Sequence, residues 1–215
     1  SSYRKALEII PNYAEAHYNL GLSLQANDHL DDALLHFRKA INLKPNYAEA
    51  HNNLANILQL LGKLDEATDH YLKVLRINPK SASAHNNLGH VFKTRGQVEE
   101  AIKSYRAALD VEPEMFDANF NLGLVFYAGG QLDEAISSYR KAINTTANSA
   151  EAHYNLGLAL QAGGNLDDAI VNYKKAIDIK PDYADAYNNL GNILNVIGHL
   201  EEAIEHYLKV LTIDP

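Results

Sequence analysis

The 215-residue chain predicts an all-α solenoid of stacked helix pairs, and three observations carry that prediction. First, Pro11, Pro45, Pro79 and Pro113 fall 34 residues apart; Ala147 takes the next place, and Pro181 and Pro215 return in register. A period of about 34 residues is the length of one helix–turn–helix unit in a repeat array. Second, each period holds two apolar stripes at helical spacing. Third, small residues recur at two fixed places: Gly21, Ala55, Gly89, Gly123, Gly157 and Gly191 in the first half, and Ala33, Ala67, Ala101, Ala135, Ala169 and Ala203 in the second. A glycine inside a helix costs about 1 kcal/mol against alanine. Its return at one site implies that a neighbouring element crosses there.

The elements follow in order. Tyr3-Arg4-Lys5-Ala6-Leu7 matches Tyr139-Arg140-Lys141-Ala142-Ile143, so residues 1–11 predict the second helix of a partial preceding unit. Six full units are expected over 12–45, 46–79, 80–113, 114–147, 148–181 and 182–215, forming one continuous solenoid. A chain that starts mid-unit and lacks a polar end cap is expected to be a fragment of a longer protein. Unit 46–79 shows the logic of each. Asn46 and Glu49 have the spacing of a capping box, and Leu54, Leu58 and Leu61 step along the first helix. Gly62-Lys63 breaks it. Leu64, Ala67, Tyr71, Val74 and Leu75 form the stripe of the second helix, and Pro79 stops it. The capping pair recurs as Asn12/Glu15 and Asn148/Glu151. Phe37, Tyr71, Tyr105, Tyr139, Tyr173 and Tyr207 are the expected bulky core partners of the small residues.

Composition narrows the function. The formal charge of −8 argues against nucleic acid, whose binding needs clustered Lys and Arg. The absence of cysteine removes disulfides and thiolate chemistry. No apolar run approaches the roughly 20 residues of a spanning helix, and no apolar leader is visible, so no membrane association and an intracellular, cytoplasmic setting are expected. No phosphate-cradling loop, His-Glu-x-x-His or Gly-x-Ser-x-Gly occurs, so neither catalysis nor a cofactor is expected. Ten histidines invite a metal reading. His17, His51, His85 and His153 share one repeat position, and His36, His70 and His206 another. Neighbours at one position stand about 10 Å apart, given helix packing distances of about 8–10 Å, too far for shared coordination. No metal site is expected, and the histidines read as structural or solvent-facing. Asn144-Thr145-Thr146 fits a glycosylation sequon, at a turn expected to be irregular because its proline is missing.

The recurring pattern resembles the tetratricopeptide repeat. One copy reads His17, Leu20, Gly21, Leu24, Ala33, Phe37, Ala40 and Pro45. The resemblance implies antiparallel helix pairs, a right-handed superhelix, and a concave groove lined by the first helices that binds extended peptides or partner proteins. Where the family often carries an aromatic residue early in the first helix, this chain has His17, His51, His85, Asn119, His153 and Tyr187. A longer rhythm is also present. Unit 12–45 matches unit 148–181 at roughly two-thirds of its positions, which implies duplication of a four-unit block.

Within that frame, Asn19, Asn53, Asn87, Asn121, Asn155 and Asn189 occur once per unit on the expected groove face. Each side chain offers a donor and an acceptor, so the row is suited to the backbone of an extended peptide. It is similar to the asparagine ladder in the repeat region of O-GlcNAc transferase. Beside it lie Tyr18, Asn52, Asn86, Phe120, Tyr154 and Asn188, predicting apolar pockets in units one, four and five. Binding of a carboxylate tail is disfavoured by Glu15, Glu49, Asp117, Glu151 and Asp185 near that face. The leading expectation is a non-catalytic protein-interaction scaffold. The alternatives are the substrate-recognition arm of a larger enzyme, such as a glycosyltransferase similar to O-GlcNAc transferase, and end-to-end self-association through uncapped ends.

Overall fold

The computed structural model describes residues 10–214, which form twelve α-helices and no strand. The helix expected over 1–11 and the closing Pro215 lie outside the described residues. Two compact units result, the first running to Val111 and the second starting at Glu112. The first contains α1 (Ala14–Gln25), α2 (Leu30–Leu43), α3 (Ala48–Leu60), α4 (Leu64–Ile77), α5 (Ala82–Thr94) and α6 (Val98–Val111). The second contains α7 (Phe116–Ala128), α8 (Leu132–Thr145), α9 (Ala150–Ala162), α10 (Leu166–Ile179), α11 (Ala184–Val196) and α12 (Leu200–Ile213). Odd-numbered helices open a repeat and even-numbered ones close it. Within each unit an odd helix packs on its even partner, and that partner packs on the next repeat.

Small residues of the opening helix meet the ring of the closing one. A Cβ added at Gly21 would lie 2.7 Å from Phe37, and one at Gly89 2.7 Å from Tyr105; Gly123 is tighter still against Tyr139. Phe37, Tyr71, Tyr105, Tyr139 and Tyr173 are fully buried. In the second repeat Ala55 takes the glycine's place and is also buried, so there the ring stands far enough off to admit a methyl group.

Several local expectations need correction. The capping boxes do not form: α1, α3 and α11 are preceded by Tyr13, Tyr47 and Tyr183 as N-caps, with no side-chain cap bond. Helices therefore start one residue later than Asn46 and its equivalents imply. Ser149 and not Asn148 caps α9, accepting from the Ala152 amide. Leu61 sits beyond the end of α3 and is exposed, while Ile57 fills the core beside Leu54 and Leu58. The turn lacking proline is regular. Thr146 has φ −134° and ψ 85°, and Lys44, ahead of Pro45, has φ −134° and ψ 86°.

One turn position needs a left-handed backbone. Gly62, Gly96, Gly130, Gly164 and Gly198 have φ between 72° and 89°, and Asp28 takes the same place in the first repeat with φ 60°.

Candidate binding surface

The odd helices carry the predicted asparagines. All six of Asn19, Asn53, Asn87, Asn121, Asn155 and Asn189 are half-buried, so each keeps part of its side chain at the surface. Four of the carboxamides are tied to specific partners. Asn53 Nδ2 donates to the Tyr18 hydroxyl at 3.0 Å, and Asn189 Nδ2 donates to the Tyr154 hydroxyl at 3.0 Å. Asn87 Nδ2 donates to Asn56 Oδ1 at 3.0 Å, and Asn155 Nδ2 donates back to the Glu151 carbonyl at 2.8 Å. In the first three of these cases the partner belongs to the preceding repeat. Each such bond uses one amide hydrogen and turns the carbonyl oxygen in a fixed direction.

The flanking positions separate by residue type. Tyr18, Phe120 and Tyr154 are half-buried, resting against the core rings of Phe37, Tyr139 and Tyr173 at 5.8 Å between centroids. Burial pushes the Tyr18 and Tyr154 hydroxyls above the usual phenol range, with the nearby carboxylates of Glu49 and Asp185 adding to the shift. Asn188 is exposed. Asn86 is 7% exposed, so it belongs to the interior and is corrected from the predicted contact set. Asn52 is intermediate, with its Oδ1 buried and without a hydrogen-bond partner.

The two aromatic positions nearest the asparagine pairs are built alike in both units. Tyr18 packs on Tyr47 at 4.9 Å, with Lys44 lying 4.5 Å over the Tyr47 ring. Tyr154 packs on Tyr183 at 4.9 Å, with Lys180 lying 4.9 Å over the Tyr183 ring. In the first unit a cleft of about 260 Å³ opens beside this pair, lined by Tyr18, Glu49, Asn52, Asn53, Ser81 and Ser83 among others.

The histidines make contacts that the spacing of the sequence did not reveal. The two sets meet within a repeat: His17 Nδ1 faces His36 Nδ1 at 2.9 Å, and His51 Nδ1 faces His70 Nδ1 at 2.8 Å. Each contact joins the two helices of one pair and not neighbouring repeats. His51 Nε2 donates to the Pro45 carbonyl at 3.0 Å, which leaves its Nδ1 to accept from His70 Nδ1. Burial pushes both His51 and His70 below the usual imidazole range. The position that carries an aromatic ring elsewhere is thus a hydrogen-bonding post. Asn119 fills it in the fourth repeat, donating to the Pro113 carbonyl at 3.1 Å. Among the described residues no three metal-ligating side chains converge.

One tetratricopeptide repeat model matches residues 12–80 and 46–114, a second matches 184–215, and a TPR repeat model matches 123–163 and 162–195. The chain belongs to the tetratricopeptide-repeat family. Proteins of this family generally serve as non-catalytic interaction scaffolds. No curated protein matches the chain. Among solved structures, MamA is 28% identical with a TM-score of 0.71, over 75% of this chain and 94% of that one. YrrB, described as a TPR protein with an unusual peptide-binding site, is 27% identical with a TM-score of 0.69, over 86% and 96%. PilF of Pseudomonas aeruginosa shares the fold at 22% identity and a TM-score of 0.82, over 94% and 92%. No described helix of these tetratricopeptide repeats is long and apolar enough to cross a membrane.

Proposed function

We propose that the chain holds an extended segment of another protein in a groove walled by the odd-numbered helices of its repeats, without catalysing a reaction. The observation that carries this reading is the set of half-buried asparagines whose amide groups are oriented by neighbouring side chains. Asn53, Asn87 and Asn189 each spend one N–H on the repeat before them. The carbonyl oxygens of Asn53 and Asn189 are then aimed acceptors for backbone N–H groups, which lowers the ordering cost of binding, while that of Asn87 also accepts from Asn86 at 3.4 Å. Backbone recognition of this kind gives affinity with little demand on sequence. The likeness to YrrB, a protein described by its peptide-binding site, supports the reading.

The test is fluorescence anisotropy with labelled extended peptides on the wild-type chain and on a variant carrying Asn53→Ala, Asn87→Ala and Asn189→Ala. At about 1 kcal/mol per lost hydrogen bond, the triple variant should bind roughly 100-fold more weakly. Unchanged affinity would remove the asparagines from the site.

A second reading is favoured by α12, where Leu200, Ile204, Leu208 and Leu211 are each more than half exposed. Self-association through this face is its content. Light scattering across a concentration series tests it, and a mass constant from micromolar to millimolar protein would exclude it.

A further inference from the structure

We propose that the cleft beside Tyr18 is a receptor for a basic side chain, lysine or arginine, of the bound segment, and that the second unit carries a matching receptor at Tyr154. The inference rests on the peptide-binding reading and adds the chemical class of one ligand group.

The cleft of about 260 Å³ is within the size of one long side chain, and none of its lining residues is basic. Its only charged lining group is a carboxylate. Glu49 is exposed at its edge, while the Ser81 hydroxyl accepts from the Ala84 amide and pairs with that of Ser83 at 3.2 Å. Asn53 has spent one amide hydrogen on the Tyr18 hydroxyl. Asn52 Oδ1 is buried and unpartnered, so a donor reaching it after a turn of the side chain would relieve a group that is costly to leave unsatisfied. The Tyr18 ring gives an aromatic wall, a surface that attracts cations. An ammonium or guanidinium head with an aliphatic stem fits these requirements together. An acid would meet Glu49, and an apolar chain would leave Asn52 Oδ1 without a donor.

The second unit repeats the aromatic, carboxylate and asparagine part of the set 136 residues on, with Asn188 exposed where Asn52 Oδ1 is buried. Tyr154, Tyr183, Asp185, Asn188 and Asn189 stand for Tyr18, Tyr47, Glu49, Asn52 and Asn53. The Tyr154–Asn189 bond and the Tyr154–Tyr183 packing copy their counterparts at 3.0 Å and 4.9 Å. Asp185 is shorter than Glu49 and keeps the charge.

The experiment uses the whole chain and three labelled heptapeptides of glycine and serine that differ only at the central residue, arginine, leucine or glutamate. Anisotropy titrations are run to millimolar protein at low salt. The arginine peptide should bind at least 10-fold more tightly than the leucine peptide, and the glutamate peptide most weakly. The double variant Glu49→Gln with Asp185→Asn should reduce the arginine preference to under 2-fold, while far-UV circular dichroism stays unchanged, since both carboxylates are exposed. If all three peptides bind alike, the receptor falls and the groove reading stands. An arginine preference that persists in the double variant comes from the overall charge of −8, and also overturns the receptor. If no peptide binds, both readings fall.

Discussion

One substitution, Tyr→Phe, should have opposite effects at equivalent positions of different repeats. The rings of Tyr71, Tyr105 and Tyr139 are equally buried, so removing the hydroxyl changes no exposed surface. What differs is the fate of the oxygen. Tyr71 donates to Asn56 Oδ1 at 2.8 Å and lies 2.9 Å from Gln59 Oε1. The hydroxyl has a single hydrogen, so the second contact forms a bond when the Gln59 amide is turned to donate. The Tyr105 and Tyr139 hydroxyls are buried without a partner. The sequence explains the contrast. His90 and Lys93 stand where the second repeat has Asn56 and Gln59, and Leu124 and Tyr127 stand there in the fourth. Losing one or two hydrogen bonds worth about 1 kcal/mol each, Tyr71→Phe should destabilise by about 1–2 kcal/mol. Tyr105→Phe and Tyr139→Phe each remove an unsatisfied buried hydroxyl, whose penalty is about 1–3 kcal/mol, and should stabilise by about 1 kcal/mol. Phe37 already occupies the position in the first repeat. Urea unfolding followed by circular dichroism measures the shifts, and amide exchange assigns them to repeats, whose stabilities are only partly coupled. If Tyr105→Phe destabilised as much as Tyr71→Phe, the hydrogen-bond account would be wrong.

Three further outcomes are expected. Asp28→Gly should stabilise by about 1 kcal/mol by removing a side chain from a left-handed backbone, and Gly130→Asp should cost a similar amount; equal and opposite changes in urea midpoint check this. Gly123→Val should destabilise by about 1–3 kcal/mol, because any Cβ there presses into the ring of Tyr139, and a lowered melting temperature reports it. Acidification should weaken the second repeat. Burial lowers the folded-state pKa of His51 and His70, with the charges of Lys73 and Arg38 acting in the same direction and Glu66 and Asp69 against it for His70. The unfolded chain therefore binds more protons below about pH 6.5, so stability is full above that value and falls with pH beneath it. His70→Asn, which copies Asn172 opposite His153, should flatten the urea midpoint between pH 7.5 and pH 5 relative to wild type.

The 34-residue beat made the helices legible because proline and glycine act through the backbone alone, and the apolar stripes follow from helical period. The core rings were legible for the same reason: each faces a glycine or alanine at a fixed offset. Caps were not, because Asn46 competes with the chain's own entry geometry, which begins the helix at Ala48. Contacts between side chains on different helices were also hidden. The histidine pairs need an offset of 19 residues, and the bond from Asn53 to Tyr18 an offset of 35. Neither matches the period, so inspection of one repeat column at a time passes over both. Asn86 shows the same limit, since its residue type suits a surface while its place buries it.

On the proposed reading, the hydroxyl of Tyr18 that holds Asn53, and that of Tyr154 that holds Asn189, place recognition at the junction between modules. A module transplanted into a foreign array would keep its carboxamide and lose the phenol that aims it. Shuffling such modules therefore alters two adjoining contacts with every exchange, and selection on ligand preference should act on consecutive pairs.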